Sequence, residues 1–117
     1  MMMGTEIIQG LPIVCRLMGP TFREREEELQ REVFSAVTAA RELADGYALR
    51  FPGEAAWLAT LAEFIRFERA CCPFLRFELH VEQQEGAFWL RLRGPEGAKE
   101  FIAELLGPLA ATAAQPA

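Results

Sequence analysis

Apolar and polar positions along this chain fall into two rhythms. A period of two runs through Tyr47, Leu49 and Phe51, through Phe77, Leu79 and Val81, and through Phe88, Leu90 and Leu92. The intervening positions are mostly polar: Arg50, then Arg76, Glu78, His80 and Glu82, then Arg91 and Arg93, with Trp89 among them. Such alternation predicts strands over 47–51, 74–82 and 87–93, each with one packed and one solvent-facing side. A further strand is predicted over 9–18, where Ile13, Cys15 and Leu17 alternate with Val14, Arg16 and Met18 before Gly19-Pro20 ends it.

The second rhythm is helical. Phe22, Leu29, Val33, Phe34, Val37 and Ala40 recur at helical spacing behind a capping box of Thr21 and Glu24, predicting a helix to about Leu43. A second helix is predicted from Glu54 to about Cys72, closed by Pro73 because the residue before proline avoids helical angles. A third opens at Gly94-Pro95-Glu96, with Pro95 at its first position, and ends at Leu106 before Gly107-Pro108. Ala44-Asp45-Gly46 and Glu85-Gly86 read as turns. The expected order is β-α-β-α-β-β-α. That order implies an α+β two-layer sandwich, with a mostly antiparallel four-stranded sheet and its helices on one face. One domain over 1–108 and a flexible tail over 109–117 complete the expectation.

Composition narrows the function. With 117 residues, 51% of them hydrophobic, the chain has the size and balance of a single globular domain. A net charge of −5 disfavours nucleic acid and anionic membranes as partners. No apolar run approaches the roughly 20 residues of a membrane span. The N-terminal residues have no basic segment before an apolar one, so a cytoplasmic location is expected. Three cysteines, two of them adjacent, make no disulfide framework.

Two groups of residues carry candidate chemistry. In the second helix Trp57, Leu61, Phe64, Glu68, Cys71 and Cys72 share one stripe. A carboxylate therefore faces the core one turn before two thiols, at the i, i+3 and i, i+4 spacings that bring side chains together. Buried, it requires a hydrogen bond, a cation or a metal. The electronegative end of a helix does not activate a thiol as a nucleophile. It does not oppose a thiophilic ion, which displaces the thiol proton itself. The candidate metal donors are Cys71, Cys72 and Glu68, with Cys15 as a third sulfur if its strand lies alongside. The bland alternative is an ion-paired Glu68 beside cysteines that act as small hydrophobes.

The second group is the solvent-facing side of the sheet. Arg76, His80, Trp89, Arg91 and Arg93 are candidate interface residues there, with Glu78, Glu82, Arg50 and Arg16 beside them. They suit a homodimer or another protein partner; a solvated face with Trp89 covered by arginine stems is the bland alternative. No metalloprotease, phosphate-loop, dinucleotide or nucleophile-elbow motif is present. An enzyme would have to use Glu68 as a base of raised pKa.

The string Glu68-Arg69-Ala70-Cys71-Cys72-Pro73-Phe74-Leu75-Arg76-Phe77-Glu78-Leu79 resembles the E-x-x-C-C-P-F-x-x-F-x-L core of a group of short uncharacterised bacterial proteins. The likeness covers about 47–106, including the helix start at Gly94–Glu100. Related segments resemble ones that occur beside mercury-responsive regulators, so the resemblance implies a thiophilic metal ion at Glu68, Cys71 and Cys72. It implies nothing for Cys15.

Overall fold

The computed structural model describes residues 19–113. Helix α1 (Gly19–Glu32) leads through a 3-10 turn (Phe34–Ala36) into a hairpin of β1 (Ala39–Leu43) and β2 (Gly46–Phe51). Helix α2 (Ala55–Cys71) joins it to a second hairpin, β3 (Arg76–Val81) and β4 (Phe88–Arg93). Helices α3 (Ala98–Leu106) and α4 (Pro108–Ala113) follow. The hairpins pair through β2 and β4, giving a four-stranded sheet in the order β1-β2-β4-β3, antiparallel throughout. The fold is α+β.

The alternation read from the sequence sets the faces. Tyr47, Leu49 and Phe51 of β2 stand opposite Leu92, Leu90 and Phe88 of β4, and all six are buried. Leu61 and Phe64 of α2, Leu29 and Val33 at α1, and Ile102, Leu105 and Leu106 of α3 close over them as one cluster. Phe64 meets Phe34 and Phe77 edge-on, with ring centroids 5.9 and 6.3 Å apart, tying α2 to the sheet. Gly46 permits the close approach of β2 to β4, since a Cβ there would lie 1.8 Å from the Leu92 carbonyl oxygen.

Several boundaries differ from expectation. The strand expected over 9–18 lies outside the described residues. The long helix expected to reach Leu43 ends at Glu32, and 39–43 is β1. The cause is the two-residue loop Ala44-Asp45, which sets Ala39–Leu43 in register against Arg50–Gly46 and brings Ala40, opposite Leu49, against the core. Tertiary pairing there overrides helical spacing. Helix α1 begins at Gly19, so Thr21 lies inside it and is no N-cap. Pro20 sits in the first turn, where a missing N–H costs nothing. Helix α3 begins at Ala98 rather than Pro95, with Gly97 as N-cap at φ 93°, a left-handed angle that suits glycine. Part of the expected tail is helical: α4 packs Leu109, Ala110 and Ala113 on the core.

Candidate functional site

Helix α2 presents the stripe that its spacing implies. Leu61, Phe64 and Glu68 are buried, and Trp57 is half-buried against Phe51 at 5.6 Å between ring centroids. Glu68 is only 2% exposed. Its Oε2 accepts a hydrogen bond of 3.0 Å from Nε of Arg25, which reaches over from α1. Arg25 also donates from Nη1 to Glu28 at 2.6 Å, and its guanidinium lies 4.1 Å from the centroid of the Phe67 ring. One arginine thus joins the two helices through an ion pair and a cation–π contact. Burial pushes the Glu68 carboxyl above its ordinary value; the hydrogen bond and charge of Arg25 pull it down only in part, and Glu28 adds to the rise. For Arg25, burial pulls down, but hydrogen bonds to Glu28 and Glu68 outweigh it and hold the guanidinium more firmly protonated.

Arg25 was hidden in the sequence because the charged run 23–28 reads as a solvated turn. The signal that points to it is Glu68 itself: a carboxylate in an apolar stripe needs a donor, and α1 offers Arg23, Arg25 and Arg31.

The thiols follow one turn later. Cys72 is 1% exposed and belongs to the core cluster. Its backbone N–H donates to the Glu68 carbonyl at 2.7 Å, ending α2, and its carbonyl accepts from Leu75 N–H at 3.0 Å. Cys71 is half-buried against the core. Cys15 lies outside the described residues. Among the described residues no three His, Cys, Asp or Glu side chains converge to hold a metal ion. The donor set that the sequence suggests is therefore incomplete there: Cys71 and Cys72 are adjacent, and the Glu68 carboxylate is committed to Arg25. Among the described residues Arg25 lines two clefts beside α1, of about 380 and 350 Å³, and Glu68 lines neither of these.

The other candidate group is assembled by the strand register. On the sheet face away from the helices, one row holds Ala39, Arg50, Trp89 and His80 across the strands. The next holds Arg41, Ala48, Arg91 and Glu78, and the third Leu43, Gly46, Arg93 and Arg76. The guanidinium of Arg41 lies 5.1 Å from the centroid of the Trp89 ring. To reach it from β1, Arg41 crosses Ala48 on β2, which is 2% exposed. Arg93 donates to Asp45 at 2.6 Å and to Glu78 at 3.1 Å. Arg76 and His80 lie 3.6 and 3.4 Å from Glu78 and Glu82 along their own strand. Arg41, Arg50 and Arg91 have no carboxylate within 4 Å among the described residues. Arg50 instead donates to the Thr38 hydroxyl at 2.9 Å. All five interface candidates thus share one face; Arg41 joins them only because β1 is a strand. His80 is exposed there, whereas Cys72 is buried among core residues on the helix side.

No helix among the described residues is long and apolar enough to cross a membrane. Comparison with known proteins gives no match to any family model, curated protein or solved structure.

Proposed function

We propose that the protein is a non-enzymatic interaction module whose open sheet face holds an acidic segment of a protein partner. The observation that carries this reading is the arrangement around Trp89. Arg41 lies over its ring, and Arg41, Arg50 and Arg91 have no carboxylate of the described chain within reach. An arginine fork matches a carboxylate in two parallel hydrogen bonds, and a tryptophan supplies a rigid anchor. A second copy laid face to face would set these arginines against one another, so this face suits a carboxylate-bearing partner. The chain's net charge of −5 disfavours a long polyanion, which a short acidic segment is not.

The test is titration with a glutamate-rich peptide, read by polarization of a dye on the peptide. The expected result is salt-sensitive binding that Arg91→Glu and Trp89→Ala each weaken at least about tenfold, or about 1.4 kcal/mol. Binding that neither variant changes, or none at millimolar peptide, refutes the reading.

A thiol-based binder of a soft metal or metalloid at Cys71 and Cys72 is the second reading. Partial exposure of Cys71, next to the buried Cys72, favours it. Native mass spectrometry with mercury(II) and arsenite tests it: a stoichiometric adduct must form and must vanish in Cys71→Ser/Cys72→Ser.

A further inference from the structure

Strand β3 is an edge of the sheet, and among the described residues no strand lies on its outer side. Natural edges are blunted by proline, by charged side chains (lysine above all), by bulges or by cover. Within β3, Arg76-Phe77-Glu78-Leu79-His80-Val81 has neither proline nor lysine, and Val81 is 53% exposed.

The ladder fixes which backbone groups this edge offers. Glu82 N–H donates to the Ala87 carbonyl, so the residues hydrogen-bonded to β4 are Glu82, His80, Glu78 and Arg76. The N–H and C=O of Phe77, Leu79 and Val81 therefore point outward. Their side chains stand on the helix side of the sheet, and those of the alternate residues stand on the open side.

A second copy pairing antiparallel through this edge must place outward-bonding residues opposite each other. With Leu79 opposite Leu79, Phe77 of each copy faces Val81 of the other, and the helix side of the seam is wholly apolar. On the open side, Glu78 of each copy faces His80 of the other, and Arg76 faces Glu82. Arg76 thus meets an opposite charge in Glu82, and the Glu78 carboxylate meets a hydrogen-bond donor in the His80 ring. Sliding the copies by one step brings either Glu78 against Glu78 with Arg76 against His80, or His80 against His80 with Glu78 against Glu82. Both neighbouring registers place like groups directly opposite, which is destabilising. The sequence of β3 is thus self-complementary about Leu79, as an isologous two-fold contact requires. A cleft of about 270 Å³ lined by Ile65, Arg69, Leu75, Arg76 and Phe77 lies beside the edge, where Val81 of the other copy would seat against Phe77.

We propose that two copies join through their β3 edges, Leu79 opposite Leu79, into one continuous eight-stranded antiparallel sheet, twice the four strands of one chain. The contact uses the strand edge and leaves Trp89, Arg41 and Arg91 uncovered, so it stands apart from binding at the open face.

Light scattering after gel filtration tests the proposal, with urea melts showing that each variant folds. The wild type should run at twice the 13.1 kDa chain mass. Val81→Pro should run at the chain mass, since its N–H points outward and proline there removes no bond to β4. Arg76→Glu alone and Glu82→Arg alone should each be monomeric, because each sets like charges across the seam. An equimolar mixture of these two variants should dimerise, because every pair across the seam is again complementary. The double variant Arg76→Glu/Glu82→Arg should dimerise for the same reason. A wild type that stays monomeric at millimolar concentration overturns the proposal. So does a dimer that persists in Val81→Pro or in either single charge variant, or a mixture that stays monomeric.

Discussion

Replacing Arg25 with methionine isolates the buried ion pair between α1 and α2. Methionine keeps an apolar stem against Phe67 and removes the guanidinium that bonds Glu68 at 3.0 Å. A charged carboxylate left unpaired in a buried site costs about 3–5 kcal/mol. Glu68 has an escape, which is to take a proton. From an ordinary value of 4.5, protonation at pH 7 costs two and a half pH units at about 1.36 kcal/mol each, so the loss is capped near 3 kcal/mol. At pH 5 the same cap is about 0.7 kcal/mol. Burial already raises the Glu68 carboxyl in the wild type, with Arg25 opposing that rise. A carboxyl raised in the folded state favours folding most below its unfolded value, and that contribution is lost as pH rises through the folded value. Without Arg25 the rise is larger, and the loss with pH is steeper.

Urea melts at pH 5, 6, 7 and 8 provide the assay. Arg25→Met should lose about 2–3 kcal/mol at pH 7 and less than about 1 kcal/mol at pH 5, relative to wild type and at unchanged m-value. Adding Glu68→Gln to Arg25→Met should flatten the pH dependence, because the titrating group is gone. Glu68→Gln in the wild-type background should cost less than Glu68→Ala, which leaves Arg25 without its acceptor. An Arg25→Met loss below about 0.5 kcal/mol at pH 7, or one equal at pH 5 and pH 7, would show that the pair does not hold the helices together.

Gly46→Ala should destabilise the fold by more than about 2 kcal/mol in the same melts, since its Cβ would lie 1.8 Å from the Leu92 carbonyl oxygen and the central strand pair would have to part. In reduced protein treated with a disulfide reagent, Cys71 should label before Cys72, which is 1% exposed and should react at the rate of unfolding. Peptide mapping of partly labelled protein checks the order, and equal rates would refute it.

The strands β2, β3 and β4 were legible because each carries its own alternation, and so were α2 and the end of α3, marked by Pro73 and Gly107. The open-face grouping of Arg76, His80, Trp89, Arg91 and Arg93 followed from that alternation alone. Strand β1 was not legible. Val33, Val37 and Ala40 fit a helical stripe as well as Ala40 fits a strand, and the turn at Ala44-Asp45 did not reveal that the residues before it pair back on β2. Losing β1 also lost Arg41 from the open face. Glu68 could be placed in the core from periodicity, but its partner could not be chosen among the arginines of α1 without the helix crossing.

The chain carries more acid than base, yet its sheet does not share that balance. The open rows hold Arg41, Arg50, Arg76, Arg91 and Arg93 against Glu78 and the flanking Asp45 and Glu82. Half-buried Arg93 spans Asp45 and Glu78, a contact that fixes the side chains at one corner of the face. Arg41, Arg50 and Arg91, clustered round Trp89, have no carboxylate within 4 Å among the described residues, and this is the asymmetry that the proposed acidic partner would answer. A solvated face requires no such asymmetry, because arginine stems cover apolar surface equally well with carboxylates beside them. The asymmetry has a further consequence if the copies join at β3. The two basic faces would then lie side by side on one sheet, and one acidic partner with two segments would engage both at a raised effective concentration. Avidity of that kind would disappear in Val81→Pro while the affinity of each single face remained. The two surfaces are thereby separable in one protein by variants that touch different strands.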